Sequence, residues 1–255
     1  TFLRASHDSS PYRSEFTGTR TFSEAVRLAR SGWPEGCAAV KAISAEIVQK
    51  VTDRILRPEV ALDVVGDVIE MGEFMRGVPE CMLTWVEGED VVQGHGTILK
   101  ILLNFTASAN VPASVIQARG AAVCALIEAL EYAGRRCEVV VTHVVGANTG
   151  DVREDVIMIT RAEHPLQLDQ LAFVLCHPAM LRRLHFAFEE TLPKPVRDAF
   201  GFCKRRGYGE PRATSERADI IVPEAHGAGE QWASADTVRA WVMRCLRKQG
   251  VQLAE

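Results

Sequence analysis

The run ILKILLNFTASANVPASVIQARGAAVCALIEALEYAGRRCEVVVTHVV, residues 98–145, decides the fold class. Residues 98–105 are too continuously apolar for a strand with one wet face. The pattern predicts a central strand buried on both faces, as in a parallel sheet covered by helices. Asn104, Thr106 and Ser108 alternate through the turn that ends this strand, and Asn110 and Pro112 lead into a helix. Val115, Val123, Leu126, Ile127 and Leu130 give that helix an apolar stripe, with Ala and Gly on the close-packing side. Gly134 is placed to cap its C-terminus. Residues 138–145 read as the next strand. The polar turn at 146–151 and the apolar run at 155–160 predict a hairpin, which makes the following strand antiparallel.

Downstream, Leu168, Leu171, Ala172, Leu175, Met180, Leu184 and Phe188 recur at helical spacing. They predict one helix to about Cys176 and another from Pro178 to Glu190, followed by a short helix ending near Phe200. Residues 219–222 read as a short strand. Ser234 caps a last helix that buries Val238, Trp241, Val242 and Cys245 and stops at Gly250. Strand, helix, strand, strand, helices, strand, helix is an α/β order with one antiparallel edge strand.

Upstream, residues 1–20 are polar and read as an extended arm. Thr21-Phe22-Ser23-Glu24 is a capping-box pattern that starts a helix through Arg30, stopped by Gly32 and Pro34, with Trp33 anchoring the turn. Ile43, Ile47, Val48, Val51 and Ile55 share one face of a second helix that Pro58 ends. Residues 60–65 and 81–86 read as strands, with a short helical or turn element at 68–75. The segment is acidic: Asp63, Asp67, Glu70, Glu73, Glu80, Glu87, Glu89 and Asp90 stand against Arg76. This divides the chain into an arm (1–20), an N-terminal α+β extension (21–95) and an α/β domain (96–255).

At 255 residues and 47% hydrophobic composition, the chain can bury a sizeable core. No run of about eighteen apolar residues stands out, so no membrane span is expected, and the first residues lack a signal-peptide pattern. The seven cysteines are scattered, without a CxxC pair or a zinc spacing, and are expected to be reduced core thiols in a cytoplasmic setting.

Residues 101–108, ILLNFTAS, followed by a helix and then Val139, Val140 and Val141, resemble the start of a von Willebrand factor A-like domain. That resemblance implies a Rossmann-like, mostly parallel sheet with helices on both faces. It also implies a metal-ion-dependent adhesion site, usually for Mg²⁺, built where the first strand ends. Asn104, Thr106 and Ser108 match the positions of the family's Asp-x-Ser-x-Ser motif, and Glu224 is the carboxylate at the end of the later strand. Asn104 replaces the motif's charged residue by a neutral amide, and residues 162–165 hold no Thr for the family's later loop. The turn thus has three readings. It holds Mg²⁺ through Asn104, Thr106, Ser108 and Glu224; its side chains satisfy backbone groups; or Asn104, Thr106, Ser108 and Asn110 grip a partner. The resemblance spans residues 96–250. Upstream of it, FTGTRTFSEA from Phe16 and GWPEG from Gly32 resemble uncharacterised tailed-bacteriophage proteins.

Catalytic signatures give less. His143, His164, His177, His185 and His226 lie outside any GxSxG turn or HExxH helix, and no phosphate-binding Gly loop is present. His177 and His185 are two helical turns apart and read as structural hydrogen bonders. Lys204, Arg205, Arg206, Tyr208 and Arg212 form a basic, aromatic loop of the kind that tracks single-stranded nucleic acid, against a net charge of −4. The leading expectation is a non-enzymatic interaction, adaptor or assembly protein, phage-encoded, in host cytoplasm or virion, with a protein partner or further copies of itself. A nucleic-acid-binding accessory protein is the second reading, and a metal-dependent enzyme on a Rossmann-like sheet the third.

Overall fold

The computed structural model describes residues 15–51, 59–66, 68–86, 97–147, 149–202, 207–227, 229 and 232–253. Helix α1 (Phe22–Ser31) starts as expected at Thr21, whose hydroxyl accepts from the Glu24 amide while the Glu24 carboxylate accepts from the Arg20 amide. The 43–55 stripe places the second helix too late: α2 (Pro34–Val48) begins at Pro34 itself, a first helical position where a missing N–H costs nothing. The end of that stripe, residues 52–58, lies outside the described residues.

Strands β1 (Glu59–Asp63), β2 (Val68–Ile69) and β3 (Met82–Val86) form a small antiparallel sheet in the order β1-β3-β2, with a short helix α3 (Met71–Met75) between β2 and β3. The main sheet follows: β4 (Ile98–Asn104), helix α4 (Ala113–Tyr132), β5 (Arg136–Gly146) and β6 (Val152–Thr160). Then come α5 (Leu168–Cys176), a π-helical stretch (Met180–His185) running into α6 (Phe186–Glu190), α7 (Lys194–Phe200), β7 (Glu210–Pro211), β8 (Ile220–Val222) and α8 (Ala235–Lys248). The strand order is β6-β5-β4-β8, with β7 paired to the end of β5. Strand β4 is parallel to both neighbours, whereas β6 and β7 run antiparallel to β5. The sheet is therefore mixed, and the architecture is α/β with two sheets.

Strand pairing places Ile101, Leu103, Val139 and Val141 on the face that packs with α4. The alternate residues point the other way, and there the cover is chain without helix. Lys100 pairs with Glu216, Asn104 donates to the Arg212 carbonyl, and Glu154 accepts from Thr214 and Ser215. Val152, Val156 and Met158 of β6 remain exposed. The expectation of helices on both faces is corrected accordingly: among the described residues, α2, α5 and α8 gather around α4 on one side. On the second face the loop segment 212–217 takes the place of a helix, held by Lys100, Asn104 and Glu154.

Helix α4 is apolar around most of its circumference and buried to match, against β5, α2, α5 and α8. By length and composition it is the one described helix that could cross a bilayer, which amends the expectation drawn from apolar runs; in the fold it is the core helix. The main core also takes in Cys37, Val40 and Ile47 of α2, so the N-terminal helices share it with the sheet. Residues 16–20 are tied down as well. Arg182 donates to the carbonyls of Phe16 and Val111 and stacks on the Phe16 ring, and Arg183 donates to the Thr19 hydroxyl and to the carbonyls of Thr19 and Arg20. Both arginines are buried in the π turn.

Gly120 marks a close approach between α4 and α5, since a Cβ there would overlap the Leu175 carbonyl. In an open helix, Gly→Ala stabilises by ~1 kcal/mol. Here the sign reverses: Gly120→Ala should destabilise by about 1–3 kcal/mol, read as a lower urea midpoint with unchanged slope.

Candidate functional site

The turn after β4 is built from buried polar groups. Asn104 is fully buried; its amide nitrogen donates to the Arg212 carbonyl at 2.8 Å and to Glu224 Oε2 at 3.2 Å, and its oxygen accepts from the Thr106 amide at 3.3 Å. The Thr106 hydroxyl accepts from the Val144 amide at 2.7 Å. Arg119 of α4, also buried, donates to the carbonyls of Asn104 and Pro223 and so joins the ends of β4 and β8. Burial pushes its pKa down to about 10, against the attraction of Glu224. The fold thus brings Asn104, Thr106 and Glu224 together, with the Arg119 guanidinium as the local positive charge. The Asn104 and Thr106 side chains serve backbone groups. Ser108 is half-buried and Asn110 exposed, so these two are the side chains the turn leaves toward solvent.

In the basic loop, Lys204, Arg205 and Arg206 lie outside the described residues. Tyr208 donates to Glu190 Oε1 at 2.6 Å and stacks on Phe186, 3.7 Å between centroids. Arg212 pairs with Glu210 at 3.0 Å, and its amide donates to the Val144 carbonyl. Both side chains are engaged with the fold.

A third cluster escapes sequence reading. His143 stands in the middle of β5, His185 closes the π turn, and Glu189 follows four residues later in α6. All three side chains are buried, and one ligand atom from each lies within 4.8 Å of the others, a spacing at which one metal ion can be held. His143 Nδ1 is 3.3 Å from Glu189 Oε1, and His185 Nε2 is 3.9 Å from the same oxygen. These two nitrogens and both Glu189 oxygens have no hydrogen-bond partner. Asp155 of β6 sits beside them, its Oδ2 3.5 Å from His185 Nε2, and is itself paired with Arg153. Phe105 packs edge-on against both imidazoles. Burial pushes the Glu189 carboxyl up to about 9, helped by the negative charges of Asp155 and Glu190 and opposed by Arg153. Burial also holds His143 well below the ordinary imidazole value, with His185 and Arg153 adding repulsion. Both shifts run against charge in the cluster, favouring the protonated carboxyl of Glu189 and the neutral imidazole of His143. The one linear trace of it is the His185–Glu189 spacing together with a histidine where β5 otherwise has valines.

His177, two helical turns from His185 in the sequence reading, belongs elsewhere. It packs between Trp33 and Phe173, and its Nδ1 accepts from the Ala179 amide. His226 meets Glu224 at 3.3 Å on the surface.

The last candidate is a surface. Fifteen large hydrophobic side chains are exposed among the described residues, and eight of them fall between 62 and 75: Leu62, Val64, Val65, Val68, Ile69, Met71, Phe74 and Met75. They cover β1, β2 and α3, among Asp63, Glu70 and Glu73.

Fold and sites together define an α/β protein with a polar strand-end turn, a buried His–His–Glu cluster and an apolar, acidic appendage. The chain belongs to the family described as a domain of unknown function (DUF7192), whose model matches residues 2–252. No curated protein and no solved structure matches it.

Burial holds the folded-state pKa of His177 down at about 4, below the unfolded 6.5. Between those values the unfolded chain takes up a proton that the folded chain refuses, so stability falls on acidification through that window and is fully present above it. The stability difference between the parent and His177→Asn should shrink by about 2 kcal/mol from pH 7 to pH 5, measured by urea unfolding at each pH. Parallel profiles would refute the assignment.

Proposed function

We propose that the protein is a non-enzymatic assembly component that binds further copies of itself through the β1–β3 appendage. The carrying observation is the concentration of exposed hydrophobic side chains between 62 and 75. A patch of this kind on a monomer is costly unless it is covered in use. Two methionines and a phenylalanine on α3 suit an adaptable contact.

Charge selects the partner surface. Residues 59–90 hold nine acidic side chains and one basic, whereas residues 194–217 hold seven basic and three acidic. The helix-free face of the main sheet supplies the apolar counterpart. Val152, Val156 and Met158 are exposed there on β6, beside Glu154, which anchors Thr214 and Ser215 of the basic segment. An acidic-rimmed knob on one copy and a basic-rimmed stripe on the next are complementary, and they meet head to tail. The strand order, with β4 parallel to β5 and β8 and β6 antiparallel at the edge, supports a von Willebrand A-like reading of the main domain, while the helix-free second face departs from it. Mg²⁺ at Asn104, Thr106, Ser108 and Glu224 draws less support, because the Asn104 and Thr106 side chains already bond to the protein. The six described cysteines are all free, which suits a reducing setting such as the cytoplasm.

Light scattering on the full chain should show mass rising with concentration at low salt and falling as salt screens the charges. Phe74→Asp and Met158→Asp should each abolish growth. Mixed together, the two variants should form a dimer and nothing larger, because each retains one intact half of the interface. A parent that stays monomeric at low salt, or variants that do not complement, would refute the proposal.

A further inference from the structure

We infer that His143, His185 and Glu189 form a buried binding site for a single divalent transition-metal ion of the Zn²⁺ class. The inference does not depend on self-association.

Buried polar atoms are nearly always hydrogen-bonded, and leaving one bare costs about 1–3 kcal/mol. Here four such atoms, His143 Nδ1, His185 Nε2 and both Glu189 oxygens, lack a well-formed hydrogen bond and converge on one another, with Asp155 Oδ2 3.5 Å from His185 Nε2. A metal ion would satisfy all of their unmet demand at once. The spacing fits: two tetrahedral ligands at ordinary zinc distances stand about 3.4 Å apart, and Glu189 Oε1 lies 3.3 Å and 3.9 Å from the two nitrogens. The donor set selects the metal. Two imidazoles and one carboxylate suit Zn²⁺, Co²⁺ or Fe²⁺, whereas Mg²⁺ and Ca²⁺ prefer an all-oxygen shell.

The surroundings also fit. Asp155, with 16% of its side chain accessible, is the next oxygen donor, 3.5 Å from His185 Nε2. Arg153 pairs with its carboxylate and so orients it, as the outer groups around metal ligands commonly do. The π turn adds an independent sign, since such turns recur at functional sites. Coordination would bind β5 in the sheet to the π turn and α6, elements far apart in sequence.

The test uses the full chain, unfolded in chelator and refolded with or without equimolar Zn²⁺ or Co²⁺, because a closed site loads best during folding. The expected result is one metal per chain by elemental analysis, visible ligand-field bands with Co²⁺, and a melting temperature several degrees higher with metal, since an ion bound only to the folded state stabilises it. Glu189→Gln keeps the side-chain volume and removes the charge. It should bind Co²⁺ at least tenfold more weakly and lose the metal-dependent rise in melting temperature. If that variant does not fold, the Co²⁺ titration of the parent decides alone. A parent that refolds with the same melting temperature and no Co²⁺ bands in either condition would overturn the inference and leave the cluster as a metal-free, proton-sharing group. Equal Co²⁺ binding by parent and Glu189→Gln would overturn the ligand assignment.

Discussion

Helix α4 has almost no side that tolerates water, and the rest of the chain is arranged around keeping it dry. A sheet can cover one flank of a helix and no more. Here β5 takes that flank, α5 and α8 pack alongside, and α2 comes back from the N-terminal part to pack on α4 as well. The need to enclose one apolar cylinder thus explains why segments from both ends of the chain share a single core. It also explains the isolated bridge between Val51 and Leu253, which joins the residues following α2 and α8. The small β1–β3 sheet takes no part in this enclosure, and Leu62, Val68 and Ile69 on it stay exposed.

Polar groups inside the fold follow two different rules. Arg119, Arg182 and Arg183 are deeply buried, yet each guanidinium meets backbone carbonyls at places where regular structure ends. A rigid fork of donors suits that task, and the charge is dispersed over several oxygens. The His143–His185–Glu189 group is the opposite case, with nitrogens and oxygens aimed at each other and unsatisfied. Arginines that close loose ends hold a fold together. A group with spare donor capacity is poised for something more.

Much of this was legible in sequence, and the reasons differ by element. The strand–helix–strand at 98–145 could be read because continuous apolar character is what double-sided burial demands, and the register of β4 on β5 agrees with it. The antiparallel β6 followed from turn spacing, and α8 from its Ser234 cap, which forms a capping box with Thr237. The start of α2 was obscured because Pro and Gly punctuate helix ends and helix beginnings alike. The occupied face of the sheet could not be read, since strand alternation marks two faces without saying what covers each. The polar turn was legible as a motif, but whether Asn104 and Thr106 look outward or inward depends on Arg119 and on residues more than a hundred positions away. The His–His–Glu cluster draws on a strand and two helical segments, so the His185–Glu189 spacing alone could not place His143 beside them.

The π turn at Met180–His185 can be understood as a phase shift. In a regular helix each residue advances about 100° around the axis, so one extra residue turns everything downstream by that angle. Within the π turn the chain aims Arg182 and Arg183 at residues 16–20, and from the end of that turn into α6 it aims His185 and Glu189 at the sheet. A strict 3.6-residue repeat sets those directions at a fixed angle. The added residue frees the two faces from that repeat, so one helix can clamp the N-terminal segment and complete the buried cluster on β5.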